Sequence, residues 1–126
     1  MIIVPAERLD SVRATLEESG YAVAQATTPA QAGLRQTQAE IAAALRLPEP
    51  ADRNLDAMAD SLRDLDQLWD GQRVALLWQD AGRLAGADGR AWWILGELLD
   101  DADNLVVVAL GEARVGRPDD PGGELA

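Results

Sequence analysis

The sequence predicts an α/β fold, a small parallel β-sheet flanked by helices. Short apolar runs rich in β-branched residues alternate along the chain with segments of helical periodicity. Two of these runs, Arg73–Trp78 and Leu105–Leu110, are almost continuously apolar, as strands buried on both faces of a parallel sheet are. The chain has 126 residues and no internal repeat, which fits one domain with its own core.

The first elements form a strand–helix–strand unit. Residues 1–4 are apolar and β-branched, and Tyr21–Ala26 is the second strand of the unit. Between them an apolar stripe predicts a helix that Gly20 ends: Leu9, Val12, Leu16. Because such a unit commonly makes a parallel pair, we expect these two strands to be neighbours.

A second helix is predicted from Thr28 to Leu47. Thr28 has the side chain of an N-cap, Pro29 suits the first helical position, and Gln31 stands where a capping box needs it. Leu47–Pro48 ends the helix, because proline lacks the N–H that the next turn would need.

The segment after Pro50 predicts a short acidic helix over residues 54–65. Asn54 is a suitable N-cap, and an apolar stripe follows at helical spacing: Leu55, Met58, Leu62, Leu65. Four aspartates lie opposite the stripe or just before it: Asp52, Asp56, Asp60, Asp64. Neither Arg53 nor Arg63 stands four residues after an aspartate, the spacing that favours an ion pair on a helix, so the carboxylates repel one another. The aspartates form either a solvated face or a docking surface for a cationic partner.

The second half of the chain predicts two loops, one helix and a tail. Two loops are predicted, Leu65–Gly71 and Gly82–Gly89. A helix is predicted over residues 90–101, with Asp88 as its cap, and a disordered tail is predicted over residues 112–126. In that helix Trp93 and Glu97 are four residues apart on the polar side. Trp93 is either an exposed tryptophan beside a carboxylate, a typical contact anchor, or a side chain that folds down onto the rim of the sheet.

Composition excludes several classes of function. The net charge of −11 opposes binding to nucleic acid and favours basic proteins. The chain has no histidine, the commonest general base and metal ligand, and no cysteine, which fits a reducing cytoplasm. We expect no membrane segment, because no apolar run reaches about 18 residues.

These motifs resemble the barstar family, the intracellular inhibitors of the secreted ribonuclease barnase. The family pattern, Leu-Pro-x-aromatic-aromatic-Gly-x-Asn-x-Asp-Ala-x-x-Asp-x-Leu, is matched by Leu47-Pro48, by Asn54-Leu55-Asp56-Ala57, and by Asp60 and Leu62. The chain departs from the pattern at the aromatic positions. Pro50-Ala51-Asp52 replaces two aromatics and a glycine, and Ala59 replaces a third aromatic.

The resemblance implies a three-layer fold and three segments of chain. Residues 21–111 are the barstar-like core, residues 1–20 a strand-helix extension at one sheet edge, and residues 112–126 the tail. It also implies an antitoxin or immunity-type role, in which the protein blocks the cleft of a basic secreted ribonuclease in a 1:1 complex without a cofactor.

The resemblance further implies a binding surface. Asp60 enters the cleft as a phosphate mimic, and Asp56 and the matching glutamate, Glu97, pair with basic groups beside it. We expect Trp93 to replace part of the missing aromatic contact. The predicted partner-binding residues are Asp52, Asn54, Asp56, Ala59, Asp60, Asp64, Trp93 and Glu97.

Four alternatives stay open at this point. Because the aromatics are missing, the same fold can serve a different, non-ribonuclease toxin. An enzyme using Asp56 and Asp60 lacks any recognisable nucleophile or phosphate loop. A divalent-metal site is opposed by the spacing, because aspartates one helical turn apart do not converge as loop ligands do. The last alternative is a barstar-like fold without an inhibitory role.

Overall fold

The computed structural model describes residues 1–111 and contains four strands and six helices there, with one 3-10 turn at Ala6–Arg8. The strands are β1 (Ile2–Val4), β2 (Ala22–Thr27), β3 (Val74–Gln79) and β4 (Leu105–Leu110). The helices are α1 (Leu9–Glu18), α2 (Leu34–Ala44), α3 (Leu55–Arg63), α4 (Leu65–Leu68), α5 (Ala81–Ala87) and α6 (Gly89–Asp100). The predicted tail, residues 112–126, lies outside the described residues.

The four strands form one parallel sheet in the order β1-β4-β3-β2, which confirms the predicted α/β fold. The expected pairing of β1 with β2 is wrong, because these strands are the two edges of the sheet. The centre belongs to β3 and β4, whose continuous apolar sequences suit burial on both faces. β1 has only three residues, and Ile2 and Ile3 are exposed, so it suits an edge.

Helices cover both faces of the sheet and make three layers. On one face, five helices (α2, α3, α4, α5 and α6) contribute buried side chains to the core cluster that contains Val74, Leu76 and Trp78 of β3. On the other face, α1 covers Leu77, Val108 and Leu110. The acidic helix α3 is therefore part of the multi-helix layer, and α1 is on the opposite side of the sheet.

The predicted helix start at Thr28 is wrong. Thr28 is fully buried, and its hydroxyl accepts a hydrogen bond of 2.8 Å from the indole N–H of Trp78. Gln31 has a positive φ of 61°, and α2 begins at Leu34 after Gly33. The capping side chain is thus occupied by a buried partner on the central strand, which local sequence patterns do not reveal.

Both predicted loops contain a helix. α4 occupies Leu65–Leu68 and α5 occupies Ala81–Ala87. Leu65 and Leu84 are buried in the main core, so tertiary packing outweighs the local preference of the glycines for loop structure. Trp69, next to α4, is buried as well and donates its indole N–H to the carbonyl of Leu45 at 2.8 Å.

Candidate functional site

The start of α3 is fixed by its own cap and by a link to α2. The side chain of Asn54 accepts a 2.9 Å hydrogen bond from the amide of Ala57, which confirms the predicted N-cap. Behind it, the buried amide of Gln38 donates to the carbonyl of Ala51 at 2.9 Å, and the amide of Asn54 donates to the carbonyl of Pro50 at 2.9 Å. These bonds hold the entry of α3 against the core and so orient its outer face.

The orientation of α3 places its carboxylates in solvent. Met58 and Leu62 are buried at 0% and 5% exposure, as the predicted stripe requires. Asp56 and Asp60 are exposed on the helix, and Asp64 is exposed at its C-cap. Asp52, in the loop before the helix, is partly buried. We call these four residues the acidic α3 face.

Two arginines pair with this face. Arg63 Nη1 lies 2.6 Å from Asp60 Oδ1, an i,i+3 pair whose side chains are 75% and 72% exposed. Arg53 Nη1 lies 3.1 Å from Asp52 Oδ1. The expectation that spacing leaves the carboxylates uncompensated is therefore wrong for Asp52 and Asp60. An exposed pair of this kind contributes about 0.2–1 kcal/mol, so a partner's cation can replace the arginine at small cost.

Helix α6 contributes the second wall of the site. The side chain of Asp88 accepts from the amide of Ala91 at 3.0 Å, which confirms its predicted role as the cap. The inner face of α6 is buried: Ala91, Trp92, Leu95, Gly96, Leu99. On the outer side Glu97 is exposed, whereas Trp93 is half-buried and so lies between the two alternatives that the sequence left open.

A cavity of about 480 Å³ separates α3 from α6 and continues to the loop before β4. We call it the α3–α6 cavity. Its lining residues are Ala59, Leu62, Arg63, Trp93, Ile94, Glu97, Leu98, Asp101, Ala102, Asp103 and Asn104. The cavity brings together three of the predicted residues, Ala59, Trp93 and Glu97, which come from two separate helices.

The other predicted residues lie outside the cavity lining. Asp56, Asp60 and Asp64 follow the outer side of α3, and Asn54 and Asp52 precede it. The sequence did not indicate that Arg63, Asp101 and Asp103 line the cavity. The spacing of Arg63 three residues after Asp60 was a usable signal for their ion pair, but the approach of Asp101 and Asp103 to α3 depends on tertiary packing.

The described residues contain neither a metal-binding cluster nor a membrane span. Over residues 1–111, no three carboxylate side chains come together in an arrangement that could hold a metal ion. None of the helices in that range is long and apolar enough to cross a bilayer.

A comparison with protein-family models assigns the chain to one family. The family model of barstar, described as the barnase inhibitor, matches residues 21–115. This match covers most of the chain and includes α3, α6 and the α3–α6 cavity. The chain belongs to the barstar family, whose members are inhibitors of ribonuclease-like partners. A search of the curated proteins finds no match, and a search of the solved structures finds none either.

Proposed function

We propose that this protein is an antitoxin or immunity-type inhibitor that blocks the active-site cleft of a basic barnase-like ribonuclease with the acidic α3 face. The observation that carries the proposal is the exposed carboxylate set on a rigidly capped helix within the matched part of the chain. The partner is a secreted ribonuclease or a related toxin in a 1:1 complex, and no cofactor takes part.

The chemistry of the face suits a cleft that binds RNA phosphates. Such a cleft presents arginine and lysine side chains, and a guanidinium binds a carboxylate in the same two-pronged manner as a phosphate. In the complex, Asp60 exchanges Arg63 for a cation of the cleft, while Asp56 and Glu97 pair with basic groups at its rim. The net charge of −11 adds long-range attraction to a basic partner and repels nucleic acid.

Each remaining site residue has a role in this proposal. Asn54 fixes the first turn that carries Asp56, and Asp52 and Asp64 extend the negative field beyond the central contact. Trp93 and Ala59 shape the surface beside Glu97. The inhibitory unit is residues 21–111, with residues 1–20 as a structural extension. The lack of cysteine suits action in a reducing cytoplasm.

A second candidate keeps the fold and changes the target to a non-ribonuclease toxin. Two small residues favour it: Ala51 is fully buried and Ala59 lines a cavity, so neither offers the large aromatic contact typical of the family. Contact changes at the edge of an interface redirect specificity, because specificity is a difference between two affinities.

The test is RNA cleavage by a barnase-type ribonuclease with increasing amounts of this protein. We expect inhibition that is complete at one equivalent. The variant Asp60→Ala should weaken inhibition roughly 100-fold to 1,000-fold, because it leaves cleft cations buried without a partner. Asp66→Ala, which removes an exposed carboxylate on α4, is the matched control and should inhibit as well as the natural sequence.

Two results would each contradict a part of the proposal, the first its ribonuclease target and the second the role of Asp60. One is full activity of the enzyme beside an excess of folded protein, which would favour the second candidate. The other is equal inhibition by the natural sequence and Asp60→Ala, which would remove Asp60 from the interface. Circular dichroism of each variant separates both results from unfolding.

A further inference from the structure

We propose that the open edge of β1 pairs with the same edge of a second copy of this chain, so that two sheets join into one across a two-fold axis. The edge consists of Ile2, Ile3 and Val4, and we call it the β1 edge. It lies outside residues 21–115, which the family model matches, and none of its residues belongs to the acidic α3 face. The inference therefore concerns a further interaction surface of the molecule.

The exposed apolar side chains of the described residues are concentrated at this edge. Within residues 1–111, the large hydrophobic residues that are exposed are Met1, Ile2 and Ile3, at 36%, 56% and 41%. A strand with an open edge and exposed apolar side chains is a template for pairing with another strand, unless charges or prolines block it. β1 carries neither, since Pro5 follows after the strand has ended.

The other edge of the sheet, formed by β2, is polar. Gln25 is exposed on β2, and its side-chain amide donates to the side chain of Gln79 at 2.6 Å. The guanidinium of Arg13 donates to the side-chain oxygen of the same Gln25. A strand that paired with β2 would have to displace water from these polar groups, which costs free energy. The two edges therefore differ, and β1 is the one that suits pairing.

The backbone of β1 is complementary to itself at Ile3. In a parallel pair, alternate residues direct their N–H and C=O groups to the same neighbouring strand. The carbonyl of Val4 accepts from the amide of Gly111 at 3.2 Å, so Val4 and Ile2 face β4 and both backbone groups of Ile3 face the open edge. Opposed residues of an antiparallel pair can exchange two N–H···O bonds. Two copies of Ile3 therefore satisfy each other, with the two-fold symmetry of an isologous dimer.

The side chains beside such a pair meet apolar surface. Ile2 and Val4 lie on the α1 face of the sheet, in register with Val108 and Leu110 of β4. When the two copies of Ile3 are opposite each other, Ile2 stands opposite Val4 of the second copy. Cross-strand apolar pairs of this kind stabilise a sheet. Pairing thus covers part of the exposed surface of Ile2 in each copy.

A groove of about 290 Å³ lies between β1 and α1, next to the open edge. Its floor includes Ile2 and Val4, and its wall includes Ser11 and Thr15 of α1. The hydroxyl of Ser11 donates to the carbonyl of Arg8 at 3.0 Å, and that of Thr15 donates to the carbonyl of Ser11 at 2.9 Å. Because these hydroxyl groups donate within their own helix or the turn before it, the groove behaves as an apolar surface, which the second copy extends.

The distribution of charge favours a second copy as the occupant. Two chains with a net charge of −11 repel each other, so an interface between them must lie where carboxylates are few. Among the described residues, the groove lining contains no carboxylate and one cation, Arg8. Asp100 on the neighbouring α6 pairs with the amino terminus of Met1 at 2.8 Å. The β1 edge is therefore a patch without net negative charge on an acidic molecule.

Sedimentation velocity of the untagged full chain across a wide range of concentration tests the proposal. Because the strand is short, we expect a dimer that forms as the concentration rises and dissociates on dilution. Hydrogen exchange followed by NMR adds a readout at single residues. The amide of Ile3 should become protected as the dimer forms, whereas the amide of Val4, which faces β4, should be protected throughout.

Two results of these measurements would overturn the proposal. One is a monomer at every concentration. The other is an Ile3 amide that is protected to the same degree at every dilution, which would mean that the chain covers its own edge.

Matched variants then place the contact at the β1 edge. Ile2→Lys and Gln25→Lys each add one lysine to an edge strand, so the two variants have the same net charge. We expect Ile2→Lys to weaken dimerisation roughly tenfold or more and Gln25→Lys to leave it nearly unchanged. Ile3→Pro removes the outward N–H and should weaken dimerisation as strongly, because both hydrogen bonds of the central pair are lost.

Circular dichroism shows whether each variant is folded, and the two lysine variants decide the question if Ile3→Pro does not fold. Equal dimerisation by Ile2→Lys and Gln25→Lys would overturn the proposal, because the loss would then not depend on the edge. Full dimerisation by a folded Ile3→Pro variant would overturn it as well, since the central backbone pair would be absent.

Discussion

The two faces of the sheet differ in how they are covered. One face carries five helices and a core of twenty buried residues, whereas the other carries α1 and three buried residues. The acidic α3 face and the α3–α6 cavity both belong to the multi-helix face. The larger core therefore holds the surface that binds the ribonuclease in our account, and the α1 face closes the sheet without contributing to that surface.

This difference has a physical reason. A docking surface functions best when the helices that present it are rigid before binding, since ordering them during binding costs affinity. On the multi-helix face, Trp78 packs against Trp92 of α6 in a tilted arrangement, with 5.1 Å between the ring centroids. Both tryptophans belong to the core cluster that contains the buried residues of α2 and α3. On the α1 face, the helix has no fully buried residue, so it packs more loosely.

The largest expected effect is that of Trp78→Ala. This change removes the 0%-exposed side chain at the centre of the multi-helix face, its packing against Trp92, and its hydrogen bond to Thr28. We expect a loss of about 3–5 kcal/mol in the free energy of unfolding, measured by urea denaturation. A loss below about 1 kcal/mol would show that the two faces do not differ as described.

A smaller effect is expected from Gln38→Ala. The buried Gln38 amide donates to the carbonyl of Ala51, so its loss leaves that carbonyl without a partner and releases the loop before α3. We expect about 1–3 kcal/mol of destabilisation and a measurable weakening of inhibition. Full inhibition by a destabilised variant would mean that this loop does not position the acidic α3 face.

The next smaller loss of stability is expected when the side chain that caps α3 is removed. Asn54→Ala removes the side chain that accepts from the amide of Ala57 and should cost about 1 kcal/mol. Asn54→Asp should keep most of that stability, because aspartate is also a good N-cap. Thermal denaturation of the natural sequence and the two variants checks the expected order of stability, in which Asn54→Asp lies above Asn54→Ala. Equal stability of the two variants would contradict the capping role of Asn54.

The smallest effect is expected on the other face of the sheet. Val12→Ala shortens a half-buried side chain of α1 and should cost no more than about 1 kcal/mol. Because α1 lies across the sheet from the acidic α3 face, inhibition should be unchanged. An inhibition constant that rises for Val12→Ala at a temperature where the variant is folded would contradict the separation of the two faces.

The sequence predicted those features of the fold that depend on near neighbours. Asn54 and Asp88 each cap a helix through an amide three residues ahead, a local contact that residue type and spacing reveal. The apolar stripe of α3 is buried for the same reason. The placement of β1 beside β4 was missed, because it depends on strands that are about a hundred residues apart.

The exposure of three candidate residues was predictable from the sequence, whereas their surroundings were less so. Asp56, Asp60 and Glu97 follow from helical spacing and from the barstar pattern, and each is exposed as expected. The α3–α6 cavity was missed, since its walls come from two helices and from the loop with Asp103. The sequence left the burial of Trp93 open for the same reason, because its neighbours across the cavity are far away in sequence.

The central claim is that the multi-helix face, and not the net charge alone, blocks the ribonuclease. Two triple variants test it, since each removes three exposed negative charges from the chain. One carries Asp56→Asn, Asp60→Asn and Glu97→Gln, and the other carries Asp10→Asn, Glu17→Gln and Glu18→Gln on α1. The inhibition constant of each is measured against the same barnase-type ribonuclease at one ionic strength.

Our account predicts that the first triple variant loses inhibition and that the α1 triple variant inhibits nearly as well as the natural sequence. The net charge is the same for both, so a difference between them reports where on the surface the removed charges lie. Equal inhibition by the two folded variants would contradict the account, because it would mean that the acidic α3 face and Glu97 are not where the ribonuclease binds.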